Sequence, residues 1–360
     1  KTVATKAINK AVEVCHRNGG GIVFVPEGTF LSATVFLKSN VNLYLDKGAV
    51  LKGVFDPQEY SCYIPQKDMS RYSSVSDNGN NANSIYDTEW IKTLILGVEV
   101  ENVTISGEGV IDGGHVFNSR GEEGMLGPHT IIIAEAKNIL VSNITVNKSA
   151  NYAFLGYDVE NVVFQHLKIN EGWDGIHLRG AKNIVIRDCD FYTGDDAIAG
   201  GYWESMVITD CRINSSCNGI RVIMPVKEMV ISHSRFIGDG KYPHLTSHEA
   251  LRTNMLIGIY LQPGGWGIAP GDLENIRIHD LEIDNMENAL AFDLNKGNNA
   301  RDITVENISG KNLRGHCSLN SLHDGFFENI ALRNIDLQVC IGSKEKLTSS
   351  WAYQVRNVRK

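Results

Sequence analysis

Three aspartates carry the most concentrated chemistry in this sequence. Asp174 lies in Trp173-Asp-Gly-Ile-His-Leu-Arg179, and Asp195 and Asp196 are adjacent in Gly194-Asp-Asp-Ala-Ile-Ala199. A third segment, Cys217-Asn-Gly-Ile-Arg-Val222, has the same frame. Ile176, Ile198 and Ile220 stand 22 residues apart, as do Asp174, Asp196 and Asn218, and as do His177, Ala199 and Arg221. A chain that returns to one wall every 22 residues stacks Asp174 and Asp196 about 5 Å apart. Like charges that close raise at least one pKa, the environment a general acid needs.

The residues around this cluster suit a sugar. Strand alternation turns His177, Ala199 and Arg221 away from the isoleucine ladder. Ala199 then leaves a gap of about 10 Å between His177 and Arg221, room for one ring. Gly258-Ile-Tyr-Leu-Gln262 continues the frame and aligns Tyr260 with Arg221. Trp173, Tyr202, Trp203, Tyr260 and Trp266 offer stacking surfaces. The expected substrate contacts are His177, Arg179, Trp203, Asn218, Arg221, Tyr260, Gln262 and Trp266. Each has a plainer alternative. Asp-Asp after Gly is a common turn, Arg221 can be a structural ion-pair partner of Asp196, His177 can be a surface histidine, and the aromatic residues can be packing.

The elements that position these residues follow from an internal repeat. A phrase of a polar head residue, apolar alternation, a short polar break and a second apolar pair starts at Asn102, Asn138, Asn161, Asn183, Ser205, Glu228, Asn275, Asp302 and Asn329. From Asn138 to Glu228 the intervals are 22 or 23 residues, then 47, then 27 twice. Alternation of period two is strand chemistry, and a 22-residue unit is too short for helical repeats. The expected fold is all-β, a right-handed parallel β-helix with each coil about 4.8 Å above the last. The 47-residue interval is two coils or one coil with a long loop, with 238–254 the loop candidate. A second long loop is expected at 60–89. Open solenoid ends need caps. Residues 2–17 place Val3, Ile8, Ala11, Val12 and Cys15 on one helical face, with Gly19-Gly20-Gly21 as the stop. The reading is one β-helix domain over 1–340, capped by that helix, with 341–360 a second cap or a tail.

Composition narrows the function classes. Of 360 residues, 42% are hydrophobic and 21% charged, enough for a large core and against disorder. Net charge is −8 without a basic block, which argues against a nucleic-acid partner. No run approaches the roughly 18 apolar residues of a membrane span. The seven cysteines (15, 62, 189, 211, 217, 317 and 340) form no zinc-type pair and read as packed thiols, Cys189 and Cys211 as one interior ladder. The histidines lack ligand spacing, so no zinc site is expected. No leader is recognisable, and Lys1 opens directly on the helical stretch, so a leader was removed or never present.

GGGIVFVPEGTF, LKSNVNLYLDKGAVLKG, NVTISGEGVIDG and TGDDAIA together resemble the polygalacturonase family of β-helix glycosidases, glycoside hydrolase family 28, over roughly residues 1–340. The resemblance implies a pectin-lyase-like fold, a polysaccharide or oligosaccharide substrate of pectin type, no cofactor, and a secreted or periplasmic location, with a cytoplasmic one left open. It implies that Asp195 donates a proton to the leaving oxygen while Asp174 and Asp196 activate water, with inversion at the anomeric carbon. The family's Asn-Thr-Asp is Gly172-Trp173-Asp174 here, its Gly-His-Gly is Cys217-Asn218-Gly219, and its Arg-Ile-Lys aligns with Tyr260-Leu261-Gln262. The acidic residues are kept while the uronate-gripping signature is replaced. Two alternatives stand beside hydrolysis: a Ca²⁺- or Mg²⁺-assisted lyase or epimerase with Arg179 or Arg221 as base, and a sugar-binding solenoid without catalysis. Linkage, endo or exo action and oligomeric state are left open.

Overall fold

The head residue of every copy of the repeat sits in the left-handed backbone region, with φ between 53° and 59° from Asn102 through Asn329. Such a conformation costs most residues about 1–2 kcal/mol, and Asn or Asp least. Asn supplies a second gain, because each side chain bonds the one a coil away. Asn102 Nδ2 donates to Asn40 Oδ1 at 3.0 Å, Asn138 to Asn102 at 3.1 Å, Asn161 to Asn138 at 3.0 Å and Asn183 to Asn161 at 3.0 Å. The repeat seen in the sequence is thus a corner followed by a strand. Asn143, His166, Asp188, Asp210 and His233, five residues after their heads, make a second corner, again with positive φ.

This computed structural model describes residues 3–73, 84–341, 345–349, 353–355 and 358–359. The chain divides into two units, Lys1–Val185 and Ile186–Lys360.

In the first unit, strands of successive coils pair in parallel. Gly21–Val25 lies on Val41–Leu45, which lies on Glu101–Gly107; that strand pairs with His129–Ser142, and His129–Ser142 with Phe154–Gln165. A second wall runs Gly28–Ser32, Ala49–Gly53, Val110–Asp112, Thr145–Asn147 and Lys168–Asn170. The N-terminal helix is Thr5–Arg17. It buries Ile8 and Val12, and Asn9 ties it down by accepting from Phe36 N at 2.8 Å and donating to Thr34 O at 2.9 Å. The expected helical face is narrower than read: Ala11 is exposed, and Val3 precedes the helix, 45% exposed, in a bridge to Leu31.

In the second unit one wall stacks Ile198–Thr209, Val226–Ser232, Leu273–Met286, Ala300–Leu313 and Phe327–Ile341. Direct pairing of Val226 with Leu273 resolves the 47-residue interval as one coil carrying two insertions, 238–256 and 262–272. A further wall stacks Ile198–Thr209, Asn218–Val222, Ile257–Leu261, Asn288–Leu294 and Cys317–Ser321. Along it Ile198, Ile220, Ile259 and Leu290 align and are fully buried. Burying each such side chain is worth about 1.5–3 kcal/mol, so the ladder fixes the register of the neighbouring polar columns. Past residue 341, Glu345–Ser349 pairs antiparallel with Leu337–Ile341, and Tyr353–Val355 continues the wall beyond Cys317. Cys189 and Cys211 are buried and hydrogen-bonded to each other, as the interior-ladder reading expects. The described cysteines are all free thiols. The fold is the expected all-β, right-handed parallel β-helix; its hand is the one that parallel crossover connections adopt.

Candidate active site

The candidate residues form two sets, one in each unit. In the first unit, Asp174 sits in the turn before strand Ile176–Arg187 and is 3% exposed. Its Oδ2 lies 2.7 Å from His177 Nδ1. Arg179 Nε donates to His177 Nε2 at 3.1 Å, and its guanidinium also donates to Tyr72 O at 3.1 Å. Arg179 has no acceptor atoms, so the Nε2 it meets carries the lone pair and the proton resides on Nδ1, which donates to Asp174. The Tyr152 ring stacks on His177 at 4.8 Å, 9° from parallel.

His177 and Arg179 were expected as outward substrate contacts, yet both are fully buried. Alternation gives the side of the strand correctly but not what covers it. The cover is the 57–73 insertion: Tyr72 reaches Arg179, and its ring packs so close over Gly180 that a Cβ there would meet it at 2.5 Å. The rest of the long loop, 74–83, lies outside the described residues. Trp173 is also buried, 5% exposed.

In the second unit, the pair Asp195-Asp196 occupies the turn between Asp190–Thr193 and Ile198–Thr209. The turn is pinned from two sides, since Thr193 Oγ1 and Ser215 Oγ both donate to Asp195 O at 2.8 Å. Asp196 is 2% exposed, and its Oδ1 accepts from Asn218 N at 3.0 Å and Asn218 Nδ2 at 2.8 Å. The Asp195 side chain is 24% exposed, and His244 Nε2 stands 3.5 Å from its Oδ2. Burial and the charge of Asp195 push the Asp196 carboxyl up to about 6, against the pull of Arg221 and Asn218. Burial also acts upward on Asp195, but His244, the Cys217 thiol and Arg221 outweigh it and hold that carboxyl below its ordinary value. One member of the pair thus favours the proton and the other the charge.

The expected column is present in this unit: Ala199 pairs with Arg221, and Arg221 with Tyr260. Arg221 lies between aromatic rings, 5.7 Å from Tyr260 and 5.4 Å from Trp266, and donates to Gln262 Oε1 at 3.3 Å. Its Nε is buried and lacks a hydrogen-bond partner among the described residues. Tyr260 donates its hydroxyl to Asp293 Oδ2 at 2.8 Å. Trp203, expected as a stacking surface, is 2% exposed and belongs to the core.

Sequence reasoning missed His244. It comes from the 238–256 insertion, outside the 22-residue frame, and no spacing signal ties it to Asp195. Two three-residue groups in this unit bring possible metal-ligating atoms within 4.8 Å of one another: Asp195, Cys217 and His244, and the more exposed His233, His279 and Asp280. No helix among the described residues is long and apolar enough to cross a membrane.

A Vitis vinifera protein named "Probable polygalacturonase" is 24% identical, over 96% of this chain and 73% of its own length. An endo-polygalacturonase of Pectobacterium carotovorum subsp. carotovorum is 23% identical over 99% of this chain and 87% of its own. Among solved structures, the polygalacturonase of Erwinia carotovora ssp. carotovora superposes with a TM-score of 0.68 at 19% identity, covering 100% of this chain and 94% of that one. A hyperthermoactive exopolygalacturonase from Thermotoga maritima gives 0.67 at 19%, covering 98% and 91%. These likenesses bear out the fold. The family described as rhamnogalacturonase A/epimerase, pectate lyase-like, matches residues 1–221, and the chain belongs to it.

Proposed function

We propose that this protein is a glycosidase that cleaves an α-glycosidic bond in a pectin-type polysaccharide or a related glycan, with its aspartates as acid and base. The reading is carried by the adjacent Asp195 and Asp196, whose surroundings push their protonation apart. Two coupled carboxylates that hold one proton are a ready acid–base unit. The resting proton favours Asp196, whereas Asp195 is the member that reaches solvent. The pair therefore acts as one acid, with Asp195 presenting the proton to the leaving oxygen. Asp174, to which the family resemblance gives a water-activating role, is held in orientation by His177 and Arg179. Water delivered opposite the departing oxygen gives inversion.

Arg221, Gln262, Tyr260, Trp266 and Asn218 are the substrate-side residues of this reading. Where the polygalacturonase signature has Arg and Lys, this chain has Tyr260 and Gln262, so a uronate is gripped by Arg221 or a different sugar is taken. A pectic polymer does not cross a membrane unaided, so a polymeric substrate implies a secreted or periplasmic enzyme, whereas an oligosaccharide substrate leaves a cytoplasmic one open.

The test is a panel of defined pectic oligosaccharides with the products followed by anomeric NMR. The expected result is hydrolysis giving the inverted anomer first, and a loss of about 10²–10⁴-fold in turnover for Asp195→Asn. Near-normal turnover in that variant would falsify the assignment. Chelator-sensitive release of an unsaturated uronate points to a lyase instead, and glycan binding without turnover to a pure binder.

A further inference from the structure

Around Asp195 the second unit assembles three different kinds of metal-ligating atom. Cys217 donates its thiol hydrogen to the Asp195 carboxylate, and His244 Nε2 stands 3.5 Å from Oδ2 of the same group. One ligand atom from each of the three lies within 4.8 Å of the others. Tetrahedral zinc with bonds of about 2.0–2.3 Å sets its ligands roughly 3.3–3.8 Å apart, so a contraction of about 1 Å closes the group. Cys217 and His244 both already face the Asp195 carboxylate, the group a metal ion would share with them.

The backbone behind them is tied down. Cys217 N donates to Ser215 Oγ at 3.0 Å, on the turn that also fixes Asp195 O. The 238–256 insertion is fastened at the neighbouring residue, where Arg252 Nε donates to Ser216 O at 3.2 Å and the Ser216 hydroxyl to Tyr242 O. His244 is in turn fixed by its N–H to Arg252 O at 2.8 Å and by Ser247 Oγ, which donates to His244 O at 2.7 Å. Cys217 is 7% exposed and the His244 side chain 14%, while the 24% exposure of Asp195 leaves a path in from solvent.

We propose that Asp195, Cys217 and His244 form a site for one divalent ion of the zinc type, bound through carboxylate oxygen, thiolate sulfur and Nε2, with solvent in the fourth position. One sulfur, one imidazole and one carboxylate suit Zn²⁺, Co²⁺ or Cd²⁺ and disfavour Ca²⁺ and Mg²⁺, which take oxygen ligands. The balance is simple: the ion binds the Nε2 lone pair of the neutral His244 ring and replaces the Cys217 thiol proton, which is released to buffer. An ion held there withdraws Asp195 from substrate, so the site is inhibitory; that consequence alone rests on the glycosidase reading.

The experiment is titration of the metal-free full chain with Co²⁺, read as the thiolate-to-cobalt charge-transfer band in the near ultraviolet. The expected result is a band saturating at one equivalent, absent in Cys217→Ser, and reached only at roughly tenfold or higher Co²⁺ in His244→Ala. Circular dichroism verifies that each variant is folded, and the histidine variant carries the test if the serine variant is not. Thiolate specificity separates this site from the His233–His279–Asp280 group, which has no sulfur. No band in the parent protein, or a band unchanged in both variants, overturns the proposal. Hydrolysis is measured on separate samples, so absence of glycosidase activity leaves the cobalt result standing.

Discussion

Arg179 Nε donates to His177 Nε2 at 3.1 Å, and this contact fixes the histidine as a neutral ring with its proton on Nδ1, directed at Asp174 Oδ2 2.7 Å away. With Nε2 accepting from the guanidinium, the ring proton lies on Nδ1 and points at Asp174. Asp174 Oδ2 thereby receives a directed hydrogen bond from the ring.

Replacing Arg179 by Met removes the donor that selects the tautomer. In the proposed mechanism Asp174 then loses its fixed orientation, and kcat falls roughly 10²-fold, the lower range of what a placed acid–base group contributes. KM changes little, because Arg179 is buried beneath Tyr72 rather than facing substrate. A kcat defect that His177→Gln reproduces supports the relay. An effect confined to KM would show that Arg179 touches substrate after all.

The corner asparagines give a stability prediction that separates two contributions. Asn161 has φ of 54°, donates to Asn138 Oδ1 at 3.0 Å, and accepts from Asn183 Nδ2 at 3.0 Å. Asn161→Ala loses both the bonds and the tolerance of left-handed backbone, costing about 2–3 kcal/mol. Asn161→Gly keeps the backbone freedom and loses the bonds, costing about 1 kcal/mol. Urea unfolding of the two variants reads the difference, and equal losses would mean that the corner conformation carries no strain.

His129 supplies a pH dependence of stability. Burial, reinforced by the charge of Arg179, lowers its pKa to about 3, while Tyr152 N donates to its Nδ1 at 3.2 Å. Unfolded histidine titrates near about 6.5. Between these values the unfolded chain binds the extra proton, so stability is fully present above about 6.5 and is lost as pH falls toward 3, by about 1.4 kcal/mol per pH unit. Comparing the parent with His129→Asn at pH 7.5, 6 and 5 cancels the carboxylate contributions. The parent should lose stability faster on acidification; parallel slopes would mean that His129 is not held neutral.

What the sequence made legible follows from stacking. A residue in a coil repeats its surroundings one coil later, so the isoleucine ladder and the Ala199–Arg221–Tyr260 column could be placed by counting. Polar heads of the repeat could be located, though not their left-handed backbone, which is invisible to hydrophobic alternation. Insertions break the count. His244 reaches Asp195 from a segment with no equivalent in neighbouring coils, and Tyr72 covers Arg179 from another. The sequence therefore revealed which wall a residue faces but not whether an insertion lies over that wall.

Two tryptophans test the same distinction between wall and cover. Both Trp203 and Trp266 are aromatic residues near the proposed site, and counting alone treats them alike. Trp203 lies in strand Ile198–Thr209, pairs with Val226 and is 2% exposed. Trp266 is half-buried in the 262–272 insertion, with the Arg221 guanidinium 5.4 Å from its ring. Trp203→Ala should cost about 3–5 kcal/mol of stability, since it empties a core position. Trp266→Ala should cost less stability than Trp203→Ala, because its half-buried ring only packs against the edge formed by Ile223, Met224 and Ala269, and should raise KM roughly two- to thirty-fold, the range expected for one cation–π partner of a substrate-binding arginine. Measured together, thermal unfolding and KM on a cleaved oligosaccharide assign each residue. A stable Trp203→Ala with a raised KM would put that ring in the groove and not in the core.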